Sequence, residues 1–363
     1  MAADVIVVGG GLVGLALARE LHRQGLQVEL FEAEGYPPAP AASASWAGAG
    51  MLAAYQTTQP ALRPLAIAAA RLYPHWTREL EQETALPSGY RPGGSLFLTD
   101  RGHAAPEPAP GGWQRLTPRQ LTTCEPGLVW SGAAAWCIAN DHSVDNRLLL
   151  AALLASLHRH GVAVRTHSRV EAVAAVPAGL AVTALGITHT ARTVVNCAGA
   201  WAGLLPAPAL APVRPRKGQI LRLRSVATPR HVIAAPGVYL VPRADGEVLV
   251  GATVEDAGFD TAVSPAVIGE LRHRAEALLP ALAGAELTEA WAGYRPCSPD
   301  ELPLIGPTAA PGYWLAAGHF RDGILLAPIT AKILARAIAT GHLTRALNLQ
   351  PFAPERFARP ARR

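Results

Sequence analysis

The chain has 363 residues, half of them apolar, which is enough to bury a large core and points to two domains or one domain with a large insertion. Its formal charge of +5 is thinly spread, with no run of five basic residues, and this excludes a nucleic-acid surface while leaving a mild attraction for anions. Cys124, Cys137, Cys197 and Cys297 are far apart, and His158 and His160 point to different faces of an expected helix, so neither a disulfide framework nor a metal site is expected.

In chain order, the first element is Val5-Ile6-Val7-Val8, four consecutive β-branched residues that run into Gly9-x-Gly11-x-x-Gly14 and then into helix-forming Leu15 to Leu21, closed by Gly25. Strand, tight turn and helix in that order form a dinucleotide-binding motif: Gly9 for the turn, Gly11 for close approach of a pyrophosphate, Gly14 for helix-on-strand packing. The strand Gln27 to Phe31 follows and ends at Glu32, placed about 20 residues past the glycines to accept hydrogen bonds from a ribose diol. An acid there suits FAD or NAD rather than NADP. Because the first strand starts by residue 4, no signal peptide is expected; no apolar run reaches a membrane span, so no membrane partner is expected and the location is read as cytoplasmic.

Gly35 to Ser45 is rich in Pro, Ala and Ser and reads as an irregular loop. Trp46 to Leu52 packs small residues densely, which suits either close helix packing or approach to a flat ligand. Leu65 to Leu86 has helical spacing with a kink or break at Pro74, and Gly93 to Thr99 reads as a strand. Thr117-Pro118-Arg119-Gln120 opens a short helix with a capping box. Asn146 to His160 is a helix capped by Asp145 and ended by Gly161. Strand-like runs follow at 162–165, 169–176, 180–184 and 193–196, the last returning to the opening sheet. Residues 219–224, 231–235, 238–241 and 247–251 alternate as an antiparallel sheet, with a helix over 265–279. A final strand, glycine turn and helix span 313–341, and the N-terminus of that helix, Gly323 to Leu325, favours an electron-rich group. The basic tail after Arg356 reads as a frayed terminus. The fold class is therefore α/β: a Rossmann-like FAD-binding domain with an interleaved substrate domain on an antiparallel sheet. Its expected parts are 1–80, 140–215 and 295–345 for the first, 81–139 and 216–294 for the second, and 346–363 as tail.

Several stretches together carry a resemblance over nearly the whole chain: Val7 to Gly11, Ala49-Gly50-Met51-Leu52, Val194 to Trp201, Tyr239-Leu-Val-Pro242, Val250 to Thr253, Trp291-Ala-Gly-Tyr-Arg-Pro296 and Gly318-His-Phe-Arg-Asp-Gly-Ile-Leu-Leu-Ala-Pro328. In them the chain resembles the glycine oxidases of thiamine biosynthesis, within the D-amino-acid oxidase family of FAD flavoproteins. The resemblance implies that Leu12, Val13, Glu32, Ala33, Ala44, Ser45, Ala49, Gly50, Met51 and the backbone of Val170 line FAD, with His319, Phe320, Arg321, Asp322, Gly323, Ile324 and Leu325 around its ring system. It implies substrate contacts from Arg295, Tyr239 and Arg321, with Ala53-Ala54-Tyr55 shaping the substrate pocket. A buried arginine is costly without an anion, and its guanidinium meets a carboxylate bidentately, so Arg295 suits that role; an arbitrary arginine is more often part of a structural salt bridge, and Asp322 stands beside Arg321 as a local partner.

The implied reaction is oxidative deamination of glycine and small primary or secondary amines such as sarcosine and small D-amino acids. The α-hydrogen leaves as hydride, O2 becomes H2O2, and the imine supplies thiamine thiazole synthesis. No catalytic acid or base is evident. Gly293 stands where a flavin-linking cysteine would, so FAD is expected to be noncovalent. The resemblance further implies a homo-oligomer, a tetramer. Two alternatives keep the flavin: a D-amino-acid or sarcosine dehydrogenase with another electron acceptor, and a noncatalytic flavin-binding subunit.

Overall fold

The protein is described here by a computed structural model, which covers residues 3–39, 43–57, 59–100, 112–225, 228–344 and 346–357. Its centre is the strand Ala3–Val8, in which Val5, Ile6, Val7 and Val8 are all buried. Such a continuous apolar run is what a parallel strand covered on both faces requires. Val28–Phe31 and Ile187–Asn196 flank it in parallel, with Val7 opposite both Leu30 and Val195. Ala163–Arg165 extends the sheet beyond Val28–Phe31. On the other side Tyr313–Ala317 pairs in parallel with the end of Ile187–Asn196 and carries Leu304–Pro307. The first part of Ile187–Asn196 is longer than its polar sequence suggests, because it pairs as a hairpin with Gly179–Ala184, which in turn holds Val170–Val176.

Helices Leu12–Arg23, Arg63–Thr84, Asn146–Arg159 and Gly323–Thr340 share one large core with one face of this sheet. The helix Arg63–Thr84 runs unbroken through Pro74, contrary to the expected break. Pro74 is exposed, while Leu65, Ala66, Ala69, Ala70, Tyr73, Trp76 and Leu80 are buried along one face, and that packing outweighs the lost helical hydrogen bond. The helix Gly323–Thr340 is long and apolar enough to cross a membrane, which corrects the expectation that no segment is. It is interrupted only by Lys332 and Arg336, and its apolarity is accounted for by packing against Leu12–Arg23 and Arg63–Thr84.

The second sheet runs in the order Glu286–Cys297, Arg214–Arg224, Glu247–Gly251, Val238–Pro242, Val232–Ala235, Ser95–Thr99, Ala134–Ile138, Trp113–Leu116. All neighbours are antiparallel except Val232–Ala235 with Ser95–Thr99. Alternation along the strands sends Leu221, Leu223, Leu240 and Val250 to an outer face covered by the helix Pro265–Leu278, and Ile220, Val241, Leu249 and Trp291 to an inner face that meets Ala47 and Ala49. The inner face thus looks at the small-residue stretch leaving the first sheet. The tail is docked as far as Phe357: Phe352 is buried and Arg356 forks onto Asp300 at 2.8 and 3.0 Å, so the reading of a frayed terminus holds for none of its described part. The expected tail residues 358–363 lie outside the described residues.

Candidate active site

A cavity of about 1050 Å³ lies between the two sheets. The N-termini of helices Leu12–Arg23 and Gly323–Thr340 both open onto it, giving two sets of free backbone N–H groups suited to negative charge. The three motif glycines divide their work. Gly9 has φ +106°, and a Cβ there would lie 2.5 Å from the Cys197 carbonyl oxygen. A Cβ on Gly14 would lie 1.9 Å from the Gly9 oxygen, so Gly14 sets the contact of helix on turn. A Cβ on Gly11 would meet only Ser45, whose Oγ lies at 3.0 Å, and would otherwise project into the cavity. That is a cradle which a side chain would fill, and it fits a dinucleotide.

Of the expected cofactor residues, Gly9, Gly11, Val13, Glu32, Ala33, Ala44, Ser45, Ala49, Gly50, Met51, Val170 and His319 to Ile324 line the cavity. Leu12, Gly14 and Leu325 do not: all three are buried in the core behind it, because the helix face that packs on the sheet turns away from the ligand side. The Leu12 backbone still takes part, its N–H donating to Ser45 Oγ at 2.9 Å. Glu32 accepts from the N–H groups of Gly10 (2.6 Å) and Glu34 (2.9 Å), which fixes its carboxylate at the cavity edge. An ionised carboxylate has about four acceptor positions, so two remain for a ribose diol.

Ala44–Ala47, which spans the end of the expected irregular loop at Ser45 and the start of the small-residue stretch at Trp46, is a short helix capped by Ser43 Oγ. It is held by groups the sequence gave no sign of. Asn146 Nδ2 donates to the carbonyls of Ser45 and Trp46, Trp291 Nε1 to Ala47, and the buried Arg243 to Ala49 and to Asn146 Oδ1. Arg147 stacks on Trp46 and Trp291 and forks onto Glu289 with two bonds of 2.9 Å.

The substrate side is built on the inner face of the second sheet. Trp291, Gly293 and Arg295 alternate onto that face, and Gly218, opposite Gly293, leaves room for Arg295: a Cβ on Gly218 would lie 2.3 Å from Arg295 Nη1. Gly251, opposite Tyr239, leaves room in the same way, since its Cβ would lie 2.5 Å from the Tyr239 hydroxyl. The guanidinium and the phenol therefore lie side by side along the sheet, within hydrogen-bonding reach. Arg295 Nη1 donates to the Thr253 carbonyl at 2.9 Å, and no carboxylate of the described residues pairs with it. Burial pulls the Arg295 pKa down, the nearby Arg321 adds to this, and Tyr239 and Glu255 oppose it. Burial pushes the Tyr239 phenol up, so it stays protonated and able to donate. Arg321 lies over the Phe320 ring at 5.1 Å and makes no ion pair with Asp322 among the described residues, although the sequence offered that pairing. Arg295 and Arg321 both face the cavity without an ion pair among the described residues, which makes their end of it a candidate anion site. Ala53 lines the cavity, whereas Ala54 and Tyr55 are buried in the core; the next residue, Gln56, returns to the wall.

Burial sets the protonation of the two titratable groups on the His319–Asp322 turn. His319 is buried, its Nε2 3.2 Å from Thr330 Oγ1, and burial lowers its pKa to about 4, so the ring is neutral. Burial raises Asp322 from 3.8 to about 6, with Arg321 pulling the other way. A carboxyl whose folded pKa exceeds its unfolded one binds more protons folded than unfolded between the two values, so stability falls as pH rises from about 4 to 6. Asp322→Asn removes this cost. It is expected to match the wild type at pH 4 and to exceed it by on the order of 1–3 kcal/mol at pH 8, read from paired denaturant melts; equal gains at both pH values would contradict the assignment.

A dinucleotide cradle opening directly into an arginine-floored pocket defines a flavin-type oxidoreductase. The chain belongs to the FAD dependent oxidoreductase family, whose pattern it matches over residues 4–337. It is 34% identical to the glycine oxidase of Pseudomonas aeruginosa, over 92% of this chain and 94% of that protein. A solved glycine oxidase from Geobacillus kaustophilus superposes with a TM-score of 0.88 at 32% identity, covering 97% of this chain and 98% of that one. The bifunctional protein ThiO/ThiG of Nostoc sp. is 37% identical over 93% of this chain, and the chain spans about half, 53%, of that relative's length.

Proposed function

We propose that the protein oxidises glycine and small primary or secondary amines, sarcosine and small D-amino acids among them, with noncovalent FAD and with O2 as the acceptor that becomes H2O2. The observation that carries the reading is Arg295, a half-buried guanidinium facing the cavity with no carboxylate paired to it among the described residues. Bound FAD would supply the acceptor for the α-hydrogen as hydride. Arg295 and the protonated Tyr239 hold the substrate carboxylate and so orient the α-carbon. The amine enters neutral, and His319, uncharged and 3.2 Å from Thr330 Oγ1, adds no charge to the site. Noncovalent attachment is supported by the thiols: Cys297 is buried and donates to the Ser298 carbonyl, and burial pushes both it and the cavity-lining Cys197 away from thiolate. A role in supplying the imine for thiamine thiazole assembly is supported by the likeness to a relative named ThiO/ThiG, and the four free thiols suit a cytoplasmic setting.

The test is anaerobic mixing with glycine followed by air. Bleaching of the flavin bands and their return with peroxide is the expected result. Bleaching without return would replace O2 by another acceptor, and a protein left yellow by every small amino acid would overturn the reading.

A further inference from the structure

Gln56 lines the cavity, yet the carboxylate clamp makes no use of it. Its Nε2 donates to Ser95 Oγ at 3.0 Å and to Asp141 Oδ2 at 2.9 Å, so both amide hydrogens are taken. Asp141 is wholly buried and is itself fixed by the Tyr55 N–H at 3.1 Å and the Ser95 hydroxyl at 3.0 Å. Burial raises the Asp141 pKa to about 6, and above it the carboxylate only accepts, so the Gln56 amide has one favourable orientation, with NH2 toward Asp141 and Oε1 away from it. No described residue donates to Oε1, and Oε1 is not among the buried side-chain atoms left without a partner. It is an open acceptor, held in place by a buried network.

Its position relative to the clamp follows from the sheet. Tyr239, Ala234 and Phe97 are successive cross-strand neighbours on the cavity face, and Ser95 lies two residues from Phe97 on that same face. Two strand spacings put Phe97 about 10 Å from Tyr239, and Gln56 bonds to Ser95, two residues further along that strand. Glycine held by its carboxylate is too short to reach it. An amino acid with an extended arm on nitrogen projects further along the cavity toward it.

We propose that Gln56 is a specificity determinant whose Oε1 accepts a hydrogen bond from an uncharged O–H or N–H donor at the far end of an N-substituted glycine. This rests on the reading of Arg295 and Tyr239 as the carboxylate clamp. An apolar arm leaves Oε1 unpaired, and a second carboxylate meets an acceptor backed by Asp141, so both are disfavoured.

The experiment compares kcat/KM for N-(2-hydroxyethyl)glycine with that for N-propylglycine, which is closely matched in shape, using glycine as reference and holoenzyme throughout. Gln56→Leu is expected to shift the hydroxyl-to-propyl ratio toward propyl by roughly three- to tenfold, mainly through KM. Ser95→Ala, which removes one of the two bonds orienting the amide, is expected to give a smaller shift in the same direction, and the flavin spectrum of each variant checks that the site is assembled. An unchanged ratio in Gln56→Leu, with glycine still reducing the flavin, would overturn this inference alone. Failure of all three amines to reduce the wild-type flavin would overturn the clamp and this inference together.

Discussion

Arg295→Ala is expected to lower kcat/KM for glycine by roughly 10²- to 10⁴-fold while the purified protein stays yellow. The loss follows from removing a charge-assisted, potentially bidentate contact in a desolvated pocket, a change typically costing about 3–5 kcal/mol at about 1.4 kcal/mol per factor of ten. Tyr239 alone offers one neutral donor, so KM should rise steeply, and kcat should fall as well because the α-carbon is no longer held over the acceptor. Stability should respond in the opposite way from a structural arginine. Arg295 meets the Thr253 carbonyl but no carboxylate, and Arg321 repels it, so its removal should leave the melting temperature unchanged or raised. Arg147, forked onto Glu289 and stacked on two tryptophans, is the contrasting case, in which truncation should lower it. Steady-state kinetics with glycine and a thermal melt on the same preparation decide the matter. A kcat/KM within threefold of wild type, or a melting temperature that collapses, would show Arg295 to be structural.

The parts of this site that could be read from sequence are those whose physics is local. Val5 to Gly14 carries strand, turn and helix in ten residues, and the structure puts Gly9, Gly11 and Glu32 on the cavity. Resemblance names residues without saying which way each points, and the side chains of Leu12 and Leu325, which it implied around FAD, lie in the core, while Gly14 sits where its packing role puts it. The helix Ala44–Ala47 is too short for periodicity to reveal it and depends on one cap from Ser43. Gln56, Ser95 and Asp141 were invisible for a different reason: their bonds join residues 39 to 86 positions apart, and nothing in the neighbours of any one of them announces the others. Arg243 reaches Ala49 across 194 positions. The arginine of the clamp would have been equally obscure, since a lone arginine on a strand is more often an ion pair; only resemblance singled out Arg295, and the glycines at 218 and 251 that make room for it and for Tyr239 carry no local signal of that purpose.

Gly14→Ala separates two physical effects that point in opposite directions. Alanine is the better helix former by about 1 kcal/mol, and Gly14 lies inside the helix Leu12–Arg23, so propensity alone predicts a gain. The new methyl, however, would sit 1.9 Å from the Gly9 oxygen, 3.1 Å from the Gly9 carbon and 3.4 Å from Cys197 Cβ. The nearest of these are backbone atoms in a turn that Gly9 holds at φ +106° against the Cys197 carbonyl, and they cannot swing aside as a side-chain end would. Relief requires the helix to move off the turn, opening the contact that aims its free N–H groups at the cavity. The steric term therefore wins, with a net loss of on the order of 2–4 kcal/mol and a colourless protein as the expected result. Gly11→Ala is the control, because its methyl would meet only Ser45 and otherwise occupy the cavity. That variant should melt near the wild-type apoprotein yet retain little flavin. Flavin content after gel filtration and melting of the apoproteins distinguish the two. Equal melting of Gly14→Ala and wild-type apoprotein would mean that the helix has slack at this contact and that Gly14 is not the residue setting its distance from the strand.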